Sequence, residues 1–484
     1  MRSPARSTSG KKECSSRGKL GLKIPRVVVA GLRGGSGKTT LSLGLLGALR
    51  RKGLAVAAFK KGPDYIDAAW LAQAAGAPCY NLDPFLIGKD KILPSFACHL
   101  DGAEFAVVEG NRGLFDGMDS EGSMSTAVVA RELKAPVILI ADCTKATRTV
   151  AATIYGVERF ERGLKIGGVV LNHVAGGRHE AVIRESMEKY VRAPVLGAIP
   201  KLREMRMPER HMGLMPRHEH PDVESSLEWA TALVEKHVDI DAVVRVAAKA
   251  PALAAEECPH PTTSAAKTAP RVGVVLDSAF QFYYPENFDD LRAQGAELVP
   301  VSALTDASLP PLDALYIGGG FPETHAIALS ENVSFRNSLL RAAERGLPIY
   351  AECGGLIYLG QELIVGGKSY TMAGALPIRF ELMKRPQAHG YTSVKVTRAN
   401  PFFKKGAELR GHEFHYSRVT DAETDGPVKM AFRMGRGEGI AGGMDGMCYK
   451  NILATYTHLH ALGFPSWAAG IVKAARRFRK QASG

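Results

Sequence analysis

From Arg26 onward the chain repeats one pattern: a short continuous run of apolar, mostly β-branched residues, then a longer segment with helical periodicity. The runs are RVVVAGL at 26–32, AVAAFK at 55–60, FAVVEG at 105–110, PVILIAD at 136–142, IGGVVLN at 166–172 and PVLGAIP at 194–200. A strand with one solvated face alternates apolar and polar residues. A run that is apolar at every position belongs in a parallel sheet covered by helices on both sides. The pattern predicts a doubly wound α/β domain ending near residue 215.

A polar helix-like stretch follows at 225–250, then PALAAEECPHPTTSAAKTAP at 251–270, whose Pro, Ala, Ser and Thr content reads as a linker. A second α/β pattern opens at Arg271 with RVGVVLD, AELVPVS, LDALYIGGG and LPIYAECGG, and 370–456 is strand-like and glycine-rich. The predicted division is a basic disordered tail (1–24), a first α/β domain (25–215), a helical segment and linker (216–268) and a second α/β domain (269–484).

Net charge is +13, and much of the excess sits in Arg2, Arg6, Lys11, Lys12, Arg17, Lys19 and Lys23, opposed there by Glu13 alone. No nucleic-acid module accompanies the charge, so it points to an acidic ligand rather than to nucleic acid. No apolar run approaches the ~20 residues of a membrane span, and no secretory signal opens the chain. The seven cysteines are odd in number, scattered and free of CxxC spacing. That argues against a disulfide framework or zinc site and for a cytoplasmic location.

The strand at 26–32 runs into Arg33-Gly34-Gly35-Ser36-Gly37-Lys38-Thr39-Thr40 and then the apolar helix LSLGLLGALR. A glycine-rich turn between a buried strand and a helix N-terminus rings a phosphate with backbone N–H groups. Lys38 would reach the β/γ-phosphates and Thr39 a Mg²⁺ ion. Position 32 is Leu rather than glycine, so the match is to the variant loop that carries a leading basic residue, here Arg33. LysGlyProAspTyrIleAsp at 61–67 follows the next strand, at the sheet edge where ligands bind in such folds. Asp64 and Asp67 there could hold Mg²⁺ or substrate, or be solvated acids of a plain Gly-Pro turn. Glu109, next to last in the run 105–110, opens GluGlyAsnArgGlyLeuPheAspGly at 109–117 and is placed behind the nucleotide's metal, or is an acid of a helix N-cap region.

In the second domain a strand ends in AlaGluCysGlyGly at 351–355 and a helix follows. Cys353 at such a corner reads as a nucleophile elbow: the turn exposes the thiol and the helix dipole lowers its pKa. His458 and His460 are the candidate proton shuttles, and Gly318-Gly319-Gly320 offers backbone N–H groups to an oxyanion. His415 fits polar core packing or a substrate-facing loop.

These islands, with MPERHMGL (207–214), FYYPENFDDL (282–291), GGGFPE (318–323) and GHEFHYS (411–417), resemble in their order the cobyrinate a,c-diamide synthase family from about residue 25 to 475. The resemblance implies a P-loop-type ATP-binding domain followed by a class I glutamine amidotransferase-like α/β domain, with Mg²⁺, ATP and L-glutamine taking part. It implies that Cys353, assisted by His458, frees ammonia from glutamine. Mg-ATP at Lys38 and Thr39 would then activate carboxylates of a polycarboxylate tetrapyrrole, the a and c carboxylates of cobyrinic acid, as acyl phosphates. It also places Asp64, Ile66, Asp67 and Glu109 around ATP and substrate, Asp64 among the metal ligands, and Asn172 near the nucleotide base. Many class I amidotransferases carry a Glu two residues after the catalytic His, where this chain has His460, so the group orienting His458 is open. Nickel sirohydrochlorin or hydrogenobyrinic acid is the alternative substrate. A partitioning or metal-insertion ATPase is the reading from another class, and a tetrapyrrole-binding module with a decayed amidotransferase half is a third. Neither a nucleic acid nor a membrane is an expected partner, and a homodimer is the candidate assembly.

Overall fold

The computed structural model describes residues 20–202, 209–210, 213–214, 217–220, 222–255, 269–422 and 428–482. Residues 1–19 of the expected tail, the MPERHMGL motif apart from 209–210 and 213–214, and linker residues 256–268 lie outside the described residues.

The first sheet is formed by β1 (Arg26–Gly31), β2 (Val56–Lys61), β3 (Cys79–Leu82), β4 (Phe105–Gly113), β5 (Val137–Asp142), β6 (Ile166–Val174) and β7 (Val195–Pro200). Their order is β3-β2-β4-β1-β5-β6-β7, parallel throughout. Strands β1 and β2 are buried at every position, as two-sided coverage requires. The six apolar runs all become strands. The edge strand β3, sequence CYNL, has no apolar run to announce it.

Helix α1 (Lys38–Arg51) lies on this sheet, and α2 (Ile66–Ala75) follows β2. Two later helices, α3 (Val223–His237) and α4 (Ile240–Ala248), join the same core: Val234, Val243 and Ala247 are buried with Leu45 and Leu49. Helices α1 and α3 touch through glycine. A Cβ on Gly44 would stand 2.3 Å from the Ala230 carbonyl oxygen. Leu20–Leu22 pairs antiparallel with Leu253–Ala255, so strand pairing begins inside the stretch expected to be a tail.

The second sheet contains β8 (Arg271–Val275), β9 (Glu297–Val301), β10 (Ala314–Ile317), β11 (Ile349–Glu352), β12 (Ala388–Val396), β13 (Glu408–His415), β14 (Lys429–Arg436), β15 (Met444–Tyr449), β16 (Ile452–Thr455) and β17 (His458–Leu459). The order is β9-β8-β10-β11-β16-β15-β14-β12-β13-β17. The first five are mutually parallel and the rest antiparallel. A four-stranded sheet, including Ile378–Leu382 and Ser417–Ala422, completes the strand-rich third.

The halves are joined by side chains near β3 and by the FYYPENFDD segment. The Asn81 N–H donates to Glu286 at 2.8 Å, and the Tyr80 hydroxyl to Asp289 at 3.2 Å. Tyr391 donates to Asp83 at 2.5 Å. Cys79, Cys143, Cys353 and Cys448 are buried free thiols. Cys98 is disulfide-bonded, which the scattered cysteines did not announce. Among the described residues no helix is long and apolar enough to cross a membrane.

The close α1–α3 approach generates a paired test. Gly44→Ala should destabilise the protein by about 1–3 kcal/mol, because its new Cβ meets backbone. Gly156→Ala, in the helix Arg148–Phe160 with open space around it, should leave stability unchanged or raise it by about 0.4–1 kcal/mol. Thermal melting compares the two, and equal shifts would contradict the packing.

Candidate active site

The phosphate loop closes the carboxyl end of β1, the strand flanked by β4 and β5. Gly35 and Gly37 adopt left-handed φ values of 70° and 94°, which a Cβ would strain. A Cβ on Gly37 would also stand 2.5 Å from Asn172 Nδ2. Asn172 braces the loop directly: its Nδ2 donates to the Ser36 carbonyl at 3.0 Å, while its Oδ1 accepts from the His173 N–H at 2.9 Å. Lys38 donates to the Arg33 carbonyl at 3.2 Å, and Arg33 pairs with Asp142 at 2.6 Å. Gly34 is exposed and Thr40 half-buried in the first turn of α1.

Behind the loop lies a group of charges with a buried lysine at its centre. Lys60 is 2% exposed, and its Nζ stands 2.6 Å from Asp67, 2.7 Å from Glu109 and 3.9 Å from Asp64. Burial pushes this ammonium down, but Asp67, Glu109 and Asp64 together carry it well above the ordinary lysine range. Burial raises Glu109. Asp67, which burial would also raise, is brought below its usual range by Lys60. For Asp64, burial and the Asp67 charge outweigh the more distant Lys60 and push it up to about 7. Lys60 escaped sequence reasoning. The signal for it was present: a lysine near the end of a strand buried on both faces cannot stay solvated and has to be paired.

Mg²⁺ fits part of this group. The Thr39 hydroxyl donates to Glu109 Oε1 at 2.8 Å, and Glu109 Oε2 is buried with no hydrogen-bond partner. Asp64 Oδ1 accepts from the Asp67 N–H at 2.9 Å, and its Oδ2 lies 3.9 Å from Lys60. Among the described residues no cluster of three or more His, Cys, Asp or Glu side chains is arranged to hold a metal. A magnesium ion shared with nucleotide phosphates needs only one or two carboxylates.

Cys353 occupies the elbow between β11 and α5 (Gly354–Leu359), at φ 48° and ψ −99°, a strained backbone for a residue with a Cβ. Glycines permit the tight corner: a Cβ on Gly355 would stand 2.5 Å from the Ile317 carbonyl oxygen. The thiol is less exposed than the elbow reading implied. It is 5% exposed and donates to the Phe414 carbonyl at 3.6 Å. Burial, with the Glu323 charge, pushes its pKa well up, outweighing the Gly354 N–H directed at it. The helix N-terminus therefore does not lower this thiol, because desolvation is the larger effect.

His458 follows the end of β16, the parallel neighbour of β11, so it and Cys353 come from adjacent strand ends. A Cβ on Gly319 would stand 2.4 Å from His458 Cε1, so only glycine lets the ring lie there. Gly318 has its N–H engaged already, donating to the Tyr283 hydroxyl at 2.7 Å. His458 Nδ1 lies 3.4 Å from Glu352 Oε2. His460 turns the other way, with Nε2 3.4 Å from Glu286. His415 is core packing: it stacks on Tyr456 at 3.6 Å, donates through Nδ1 to the Ser417 carbonyl, and burial lowers it to about 4.

A cavity of about 460 Å³ lies between the two halves, lined by Asp64, Ile66 and Asp67 from the first and His412, Phe414 and His458 from the second. Tyr65 stands between them. Its ring lies 5.5 Å from that of His458, 4.6 Å from that of Tyr284 and 5.3 Å from that of Phe282, against which it stacks. His412 stacks on His458 at 4.8 Å. Burial pushes Tyr65 and Tyr284 well up and His412 well down. Lys61, Arg112 and Arg436 also line the cavity, giving it cationic groups from both halves.

Residues 27–214 match the CobQ/CobB/MinD/ParA nucleotide binding domain, and residues 271–465 the CobB/CobQ-like glutamine amidotransferase domain. A protein of Magnetococcus marinus named cobyrinate a,c-diamide synthase is 44% identical over 465 residues, spanning 95% of this chain and 98% of its own. The chain belongs to the cobyrinate a,c-diamide synthase family. Members so named from Archaeoglobus fulgidus and Listeria innocua are 40% and 38% identical, over 95% and 93% of this chain and 99% and 100% of their own. The two matches make the first sheet a P-loop-type nucleotide-binding unit and the second a glutamine amidotransferase-like one, as the resemblance implied.

Asp64 supplies a test of this electrostatic arrangement. An acid whose folded pKa is about 7 binds its proton more tightly folded than unfolded. Its contribution to stability is therefore lost as pH rises from the ordinary carboxylate range through that value. Asp64→Asn removes the loss. Its melting temperature relative to the parent should climb between about pH 5 and pH 8, and a gap that stays flat or shrinks would contradict the assignment.

Proposed function

We propose that this protein is an ATP- and glutamine-dependent ligase that converts the a and c carboxylates of cobyrinic acid into primary amides, a step of cobalamin biosynthesis. The carrying observation is the shared cavity, which sets the amidotransferase residue His458 and the nucleotide-side residues Asp64 and Asp67 around one space. The names and lengths of the relatives support the same reading.

In this reading Cys353 Sγ, giving its proton to His458, attacks the side-chain amide carbon of glutamine. Ammonia leaves, a thioester remains, and water hydrolyses it to glutamate. On the first half, the loop N–H groups and Lys38 hold ATP while a substrate carboxylate oxygen attacks its γ-phosphorus and ADP leaves. Ammonia then attacks the acyl phosphate carbon and phosphate departs, which replaces a poor leaving group by a good one. Thr39 and Glu109 would hold Mg²⁺, which neutralises charge on the phosphates. Lys60, fixed by Asp67 and Glu109, places a permanent positive charge beside the transferring group. Lys61, Arg112 and Arg436 receive the other carboxylates of the polyacid, and the cavity past Tyr65 is the path for ammonia. The helices α3 and α4 belong with the ATP-binding unit, and residues from 269 onward form the amidotransferase unit.

Two measurements test this. Product mass spectrometry with Mg-ATP, glutamine and, in parallel, cobyrinic acid or nickel sirohydrochlorin should show two amide-for-acid exchanges on cobyrinic acid. Conversion of the nickel compound alone would overturn the substrate. Cys353→Ala should abolish glutamine-driven amidation, by about 10³-fold or more, and keep activity with ammonium near the parent's. Loss of both in a folded variant would overturn the division of labour.

A further inference from the structure

The amidotransferase half carries a buried carboxylate that its proposed chemistry has not yet used. Glu352, the last residue of β11 and the chain neighbour of Cys353, is 1% exposed. Three donors hold it in place. The Tyr350 hydroxyl and the Leu459 N–H donate to Oε1 at 2.8 and 3.0 Å, and the Tyr316 hydroxyl donates to Oε2 at 3.2 Å. Oε2 is left 3.4 Å from His458 Nδ1, a buried nitrogen with no hydrogen-bond partner. The histidine two residues on cannot serve, because His460 faces Glu286 and the first half of the molecule.

We infer that Glu352 is the positioning carboxylate for His458, replacing the acid that other class I amidotransferases place two residues after their histidine; this rests on the amidation reading above. A carboxylate beside Nδ1 keeps the proton on that nitrogen and leaves Nε2 free as the base, the arrangement that makes a histidine useful to a nucleophile. The Sγ–H proton moves to Nε2, Nδ1 keeps its own proton beside Glu352, and the Nε2 proton leaves with ammonia. The position also compensates a problem of the elbow. Burial holds the Cys353 proton tightly, and a fixed negative charge on the far side of His458 favours the imidazolium that forms as the thiol ionises. Catalytic contacts of this kind shorten and align when substrate is engaged, and a small turn of the His458 ring would direct Nδ1 at Oε2 from 3.4 Å.

The test is Glu352→Gln, which keeps shape and removes charge. Glutamine hydrolysis should lose at least about 10²-fold in kcat with the glutamine KM little changed, while ammonium-driven amidation in the same preparation stays at the parent's rate. Glu352→Asp, which keeps the charge but retracts it, should fall between the two. A parent-like glutaminase kcat in Glu352→Gln overturns the inference. If ammonium-driven amidation falls as well, Tyr350→Phe decides, since it only loosens the carboxylate: reduced glutaminase kcat at unchanged KM supports the role, and unchanged kcat overturns it. Failure of the amidation reading would show instead as absent glutamine hydrolysis in the parent protein.

Discussion

The ring of Tyr65 is the feature on which the geometry of the whole molecule turns. It belongs to the loop after β2, between Asp64 and Asp67, yet it packs against Phe282, Tyr284, His412 and His458 of the other half. Parallel sheets place their chemistry at the carboxyl ends of strands, on loops that follow them. Two such sheets in one chain can cooperate only if those edges face one another. Aromatic packing around Tyr65, with the Asn81–Glu286 and Tyr391–Asp83 hydrogen bonds beside it, holds them so. A cavity lined from both halves is the result.

Both centres then use the same device, a charge buried beside the group that needs it. On the nucleotide side Lys60 is enclosed by Asp67, Glu109 and Asp64, three acids to one base, and burial leaves Asp64 holding its proton up to about 7. On the amidotransferase side Glu352 is held by Tyr350, Tyr316 and the Leu459 N–H. An unpaired charge in such places would be costly, so each is tied by several hydrogen bonds or opposite charges. Those ties fix position as well as energy.

What could be read from the chain beforehand divides along this line. The apolar runs of β1 and β2, the loop 33–40 and the ECGG corner are local patterns, and each sits where its pattern placed it. Strand β3 was missed because CYNL is four residues long with Asn81 among them, and it takes its place from neighbours rather than from its own composition. Lys60 and Glu109 are 49 residues apart in sequence and become register partners only once β2 lies beside β4. Glu352 was in view as part of a motif, but its meaning depends on β17 folding back to bring His458 over it. Even the thiol of Cys353, whose corner was legible, has a chemical state set by burial that no local spacing displays.

The wall between His458 and Asp64 has one more property. Tyr65 and Tyr284 keep their hydroxyl protons well beyond the usual range, and His412 remains a neutral ring. Across the neutral range these three side chains neither gain nor release a proton. A small base passing these three rings would exchange no proton with them.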